Sequence, residues 1–149
     1  MSETHPVALV TGAARRVGAV IARALHAAGY DVALHYRKSR GELDALAEAL
    51  EAHRAHSTLV LQADLAARAQ LPGLVDAVVA RFGRLDALVN NASIFHATPL
   101  GEITAAQCDA FFAVNARAPL LLAQAAALHL KAAHGAIVNI TDIYAERPL

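Results

Sequence analysis

The sequence predicts an α/β fold, a doubly wound parallel sheet with strand order 3-2-1-4-5. Three observations predict it. Short apolar runs alternate with segments of helical period along the chain. A glycine turn, Thr11-Gly-Ala-Ala-Arg-Arg-Val-Gly18, joins the first apolar run to the first helical segment. Right-handed crossovers between parallel strands then leave few strand orders open.

The elements follow in order. Val7-Ala-Leu-Val10 reads as a short buried strand. Val17, Val20, Ile21, Ala24, Leu25 and Ala28 then recur at helical spacing, and Gly29 stops the helix. Residues 31–36 form a second strand, and residues 41–52 a helix with Leu43, Leu46, Ala47 and Leu50 on one face. Residues 58–62 are a third strand. Leu71, Leu74, Val75, Val78, Val79 and Phe82 mark the next helix, which Gly83 ends. Residues 85–90 are a fourth strand, residues 104–131 one long helix and residues 136–141 a fifth strand. The chain of 149 residues is expected to be a single domain over 1–149. It is also expected to be C-terminally incomplete, truncated after the fifth strand, because a doubly wound domain of this type usually carries a sixth.

Composition narrows the function. Hydrophobic residues make up 56% of the chain, enough for a buried core. Thirteen basic residues balance thirteen acidic ones, so no global field invites nucleic acid or an anionic membrane. Cys108 is the sole cysteine, which excludes an internal disulfide and a cysteine zinc cluster. The apolar run at the N-terminus is too short for a secretory signal. Residues 116–130 are interrupted by Arg117, Pro119, Gln124 and His129 and fall short of a membrane span. A soluble, cytoplasmic protein is expected.

The glycine turn carries the first chemistry. Gly12 permits the tight turn and Gly18 lets the helix pack close to the sheet. Amides at the helix N-terminus can hold a pyrophosphate. The motif lacks its middle glycine, and an ordinary strand-to-helix turn reads the same, but its place in the first βα unit favours a nucleotide. The end of the second strand selects which one. A carboxylate there would hold a ribose 2′-hydroxyl and repel a 2′-phosphate; this chain has His35-Tyr-Arg-Lys-Ser39. Arg37, Lys38 and Ser39 would attract the phosphate, with Arg15 and Arg16 on the same side, so NADPH is the expected cofactor. A solvated basic turn is the other reading.

Three further segments follow in order: Asp64-Leu65 after the third strand, Asn90-Asn-Ala-Ser93 after the fourth, and Asn115 in the long helix. With the glycine turn, the chain resembles the short-chain dehydrogenase/reductase family along essentially its whole length. That family's fold is Rossmann-like. The resemblance implies that Asp64 and Leu65 hold the adenine, that Asn91, Ala92, Ser93, Val17, Tyr36 and Thr141 also line the cofactor site, and that Asn115 is the catalytic asparagine. Departures from the common pattern resemble pteridine reductases. These are two basic residues before the last glycine, the His-Tyr-basic-Ser turn, Asn-Ala-Ser followed by Phe95, and a fifth strand ending in Asp142 where most of the family has serine. That likeness implies a pterin substrate. Asp142 would take part in proton delivery, Phe95 would stack on the flat ring, and Ser93 and Arg16 would bind its polar edge or the cofactor phosphates. Phe95 as a loop anchor and Asp142 as a turn cap are the plainer readings.

Pro119 lies four residues after Asn115 and cannot donate to its carbonyl, so the helix should kink there. The family's water at this asparagine suggests that the proline helps create the opening. His53 and His56 are expected at an exposed helix end, Cys108 in packing, and His96 either at the substrate mouth or in an exposed loop. No metal site is expected. The family's proton donor, a tyrosine followed four residues later by lysine, would fall about 13 residues after Asp142, beyond Leu149, and Tyr144 cannot replace it. Three readings remain. The chain is part of an active pteridine reductase, part of another NADPH-dependent carbonyl reductase such as a 3-oxoacyl-carrier reductase, or a non-catalytic nucleotide-binding module. In the last case the fifth strand and long helix would expose apolar surface. In the family the long helix commonly packs between subunits, so a homo-oligomer, a tetramer, is expected.

Overall fold

A computed structural model describes residues 4–142; Tyr144 and the chain end at Pro148-Leu149 lie outside the described residues. The element order is β1 (Val7–Val10), α1 (Arg16–Ala27), β2 (Asp31–Tyr36), α2 (Arg40–Glu51), β3 (Thr58–Gln62), α3 (Leu71–Phe82), β4 (Ala87–Asn90), α4 (Ala105–Phe112), α5 (Ala118–Ala133) and β5 (Ala136–Asn139). The strands form one parallel sheet in the order β3-β2-β1-β4-β5, as the sequence predicts.

Alternation along the strands splits the core in two. Val7 and Leu9 of β1 face α3 and α5, where Leu71, Leu74, Val75, Val78, Leu122, Ala126 and Leu130 close one layer. Ala8 and Val10 face α1 and α2, where Ala22, Leu43, Leu46 and Leu50 close the other. Both faces of β1 are dry, which is why its sequence is a continuous apolar run. Register aligns Val10 with Leu34 of β2 and with Val89 of β4. The chain segments leaving β1, β2 and β4 therefore emerge side by side at one edge. β1 is also the switch point, with β2 and β4 on opposite sides of it.

Several boundaries differ from expectation, each for a physical reason. The strand expected over 85–90 begins at Ala87. Ahead of it, the side chain of the buried Asp86 accepts the Val7 amide (2.8 Å) and a two-pronged contact from Arg84, which clamps the strand's start. The expected fifth strand ends at Asn139, not at 141. On α1 the buried residues are Gly18, Ala22 and His26, while Val17 and Val20 are exposed. The helix turns its smallest residues to the sheet because a Cβ on Gly18 would meet the Gly12 carbonyl oxygen at 2.2 Å. His26 is buried because its Nε2 pairs with Ser57 Oγ at 2.8 Å.

The long helix is not continuous. A π turn over Ala113–Arg117 separates α4 from α5, and Pro119 sits in the first turn of α5. The Ala118 amide bonds five residues back to Ala113, and Pro119 brings no donor to the carbonyls behind it. The run Ala105–Ala133 is, by length and composition, apolar enough to cross a membrane, contrary to the expectation from 116–130 alone. Its Leu122, Ala126 and Leu130 stripe packs into the core beside α3. Cys108 is exposed, not packed, because α4 buries none of its residues. Nor is the sheet covered throughout: Ile137 and Val138 of β5 are exposed, as are Phe112, Leu120 and Leu128.

Candidate nucleotide-binding cleft

The glycine turn, the β2 end and the β4 end are stitched together by specific polar groups. Thr11, 1% exposed, directs its Oγ1 into the junction. It donates to the Val89 carbonyl (3.3 Å) and accepts the amides of Asn91 and Ala92, each at 3.0 Å. Asn91 Nδ2 returns two bonds, to the carbonyls of Thr11 (3.0 Å) and Gly12 (3.1 Å). Gly12 holds φ +65°, and a Cβ there would lie 2.9 Å from Ala92 Cα. Glycine is needed at both ends of the turn, for conformation at one and for closeness at both.

The N-terminus of α1 opens into this junction without a cap. Arg15 at the N-cap makes no capping bond, and the first turn holds no acidic residue. Its unpaired amides and the positive end of the helix dipole are therefore available to an anion. Arg16 adopts φ 49°, a costly conformation for a side chain of its size and one that recurs at ligand-binding turns.

Around the junction lies a cleft of about 1330 Å³. It exceeds the roughly 300–1,000 Å³ of a single small-ligand site. Every site residue expected from the sequence lines it. Gly12, Arg15, Arg16, Val17 and Gly18 come from the glycine turn, and Tyr36, Arg37, Lys38 and Ser39 from the β2 end. Asp64 and Leu65 follow β3, while Asn91, Ala92, Ser93 and Phe95 follow β4. Asn115, Thr141 and Asp142 complete the far wall. Arg37 and Lys38 are exposed at the rim. Arg15 is engaged with Glu42 of α2, which leaves Arg37 and Lys38 as the freer cations of that side. Phe95 stands 89% exposed, so its ring is held by little of the chain's own packing. His96 is absent from the lining; its ring stacks on Phe111 at 4.5 Å. His53 and His56 are exposed at the end of α2, and no metal-binding cluster occurs among the described residues.

Two roles come from the geometry alone. The side chain of Asn115 pairs with the peptide of Ile94: Oδ1 accepts its N–H and Nδ2 donates to its C=O, both at 2.9 Å. Asn115 thus pins the loop that carries Ser93 and Phe95 to the π turn. Asn115→Leu should release that loop with little loss of global stability, because the pair is exposed. Hydrogen exchange at the Ile94 amide should rise about tenfold; unchanged exchange would show that the loop is held by other contacts. The second is His35, 2% exposed between Gly12 and Ala63. Its Nδ1 lies 3.2 Å from the Gly12 amide and its Nε2 lies 3.1 Å from the Ala63 carbonyl. Burial holds its pKa below the ordinary 6.5, against the opposing pull of the Ala63 bond and the Asp64 charge. Sequence reasoning placed His35 in the basic turn but gave it no role. The signal was a polar ring in a strand otherwise buried on both faces.

A doubly wound sheet with an uncapped, glycine-lined helix N-terminus at its switch point is the architecture of the dinucleotide-binding folds. The chain belongs to the short chain dehydrogenase family, whose model matches residues 6–149. It is similar to pteridine reductase 1 of Leishmania tarentolae, at 38% identity over 187 residues, covering 99% of this chain and 64% of that protein. It is also similar to a 3-oxoacyl-acyl-carrier-protein reductase of Staphylococcus aureus, at 34% identity, covering 91% of this chain and 55% of that protein. A crystal structure of a short chain dehydrogenase from Burkholderia cenocepacia in complex with NADP superposes with TM-score 0.91 at 41% identity, covering 97% of this chain and 58% of that one. The chain thus spans only part of the length of these relatives.

Proposed function

We propose that the cleft binds NADPH and that the protein uses it to reduce a pterin. The observation that carries the cofactor reading is the company Arg37 and Lys38 keep. Two exposed cations and Ser39 stand at the β2 end, where residues 35–39 include no carboxylate, on the same cleft as the uncapped α1 N-terminus. The residues fit the group: Gly12 and Gly18 let the turn and α1 pack tightly against the β4 end, and the uncapped α1 N-terminus lines the cleft. The α1 amides would hold the pyrophosphate, and Arg37, Lys38 and Ser39 the 2′-phosphate. The NADP carried by the Burkholderia cenocepacia relative supports this. When bound, the cofactor supplies a hydride.

The pterin reading rests on Phe95 and Asp142, which share the cleft with the cofactor-side residues. Phe95 offers a ring face to a planar substrate. Asp142 would take part in proton delivery to a ring nitrogen, with Ser93 and Arg16 toward the polar edge. The pteridine reductase relative supports the same choice. The 3-oxoacyl reductase relative keeps a carbonyl substrate as the second reading. The exposed Phe112, Leu120 and Leu128 suit the tetramer that the family resemblance suggests.

Nucleotide titrations test the first half. R37E/K38E should weaken NADPH binding about 100-fold or more and NADH only slightly, because a charge-assisted hydrogen bond contributes about 1.5–3 kcal/mol. Equal losses for both nucleotides would remove the 2′-phosphate assignment. NADPH oxidation with dihydrobiopterin and with an acetoacetyl thioester tests the second; turnover of only the thioester would end the pterin reading.

A further inference from the structure

His35 joins three segments that come from distant parts of the sequence. Its side chain contacts the Gly12 amide on one side and the Ala63 carbonyl on the other. Its own carbonyl accepts the Ala13 amide at 2.9 Å, and the neighbouring Tyr36 carbonyl accepts the Ala63 amide at 3.2 Å. The glycine turn, the end of β2 and the start of the Asp64-Leu65 segment are thus held at a set spacing around one imidazole.

The partners dictate its protonation state. A backbone amide only donates and a backbone carbonyl only accepts. Nδ1 must therefore be the acceptor and Nε2 must carry the hydrogen. A second proton could go only to Nδ1, where it would point at the Gly12 N–H. The ring is buried, so no solvent is at hand to relieve that opposition.

We propose that His35 is a positioning residue for the dinucleotide: as the neutral Nε2–H tautomer it clamps the glycine turn to the Asp64-Leu65 segment, and its protonation opens the clamp and weakens cofactor binding. The proposal rests on the NADPH reading of the cleft. The titratable groups that line the same cleft as His35 are Asp64 beyond β3, Arg15 and Arg16 of the glycine turn, Tyr36, Arg37 and Lys38 at its own strand's end, and Asp142. Asp64 favours the proton and burial opposes it. Burial prevails, so the unfolded chain takes up the proton first. The sign follows: the stability the neutral ring contributes is complete above pH 6.5 and declines as pH falls below it, and the clamp itself opens as pH falls through the lowered folded value. His26, also held below 6.5 by burial, adds an acid-sensitive contact at the other edge of the sheet and must be controlled for.

The test combines three readouts on the wild-type protein, H35Q, H35L and H26Q. Ring nitrogen NMR of the nucleotide-free protein should show His35 protonated at Nε2 and bare at Nδ1. The Gly12 amide shift should follow the same titration. NADPH dissociation constants between pH 8 and 5 should rise in wild type and H26Q about tenfold more than in H35Q, whose amide can donate and accept but does not titrate. H35L should bind about tenfold or more weakly throughout. Comparison with H35Q cancels titration of the nucleotide's own phosphate. A His35 hydrogen on Nδ1, or superimposable pH profiles for wild type and H35Q, would overturn the proposal. Should H35Q fail to fold, the tautomer and the coupled Gly12 titration in wild type still decide the clamp. Absence of NADPH binding at every pH, with the tautomer as expected, overturns the cofactor reading and leaves the clamp standing as architecture alone.

Discussion

Gly18→Ala should destabilise the protein by about 1–3 kcal/mol and weaken nucleotide binding about tenfold or more. In an ordinary helix the same change would help, since alanine exceeds glycine in helix propensity by up to about 1 kcal/mol. Here the added methyl would sit 2.2 Å from the Gly12 carbonyl oxygen and 2.6 Å from Asn91 Nδ2. Neither atom belongs to a flexible side-chain end free to swing away. The carbonyl is backbone, and Asn91 Nδ2 is held by two bonds, one of them to that same carbonyl. Relief requires α1 to lift from the sheet or the turn to shift, and either moves the amides that face the cleft. Gly41→Ala is the control: nothing lies within 4 Å of its added Cβ, so stability should stay within about 1 kcal/mol of wild type, on the stabilising side. Urea midpoints for the two variants decide the matter; equal midpoints would mean that the close packing of α1 against the turn does not exist.

Thr11→Val should cost about 2–4 kcal/mol, although the two side chains have nearly the same shape. The lost hydroxyl accepts from the amides of Asn91 and Ala92 and donates to the Val89 carbonyl. Valine fills the space and leaves two amides without an acceptor, each at about 1–3 kcal/mol. The damage should spread to the cleft, because those amides begin the segment that carries Ser93 and Phe95. Thr11→Ser keeps the hydroxyl and loses a methyl, and should retain stability within about 1.5 kcal/mol. A valine variant as stable as the serine one would show that water replaces the hydroxyl at the junction. Both predictions concern the contact between the β1 and β4 ends, where the sheet's switch point and the candidate site coincide.

Much of this was legible because the signals are local. The strands read as short, mainly apolar runs, and Val7–Val10, Asp31–Tyr36 and Thr58–Gln62 stand where the runs predict. Gly83 ends α3 in the left-handed conformation that favours glycine. The expected site residues line one cleft because they follow strand ends, and parallel strands put those ends on one edge. What escaped the sequence depends on partners remote in the chain. Helical periodicity identified α1 but not its buried face, which a carbonyl six residues earlier and an asparagine 73 residues later decide. The proline foretold an interruption in the long helix, but not that a π turn would supply it. Asn115 read as a chemical residue; the structure shows its amide paired with the Ile94 peptide.

By itself, then, the sequence determined the doubly wound sheet, its strand order and the glycine and basic turns of the candidate site, because hydrophobic period, turn chemistry and charge are carried by neighbours in the chain. Tertiary structure alone decided how those turns are held. Thr11 accepts amides some 80 residues away, Asn91 returns its bonds to the glycine turn, and His35 stands between a donor 23 residues before it and an acceptor 28 residues after it. A hydrogen bond depends on the distance and direction of its two partners, and only the packed sheet brings these into range.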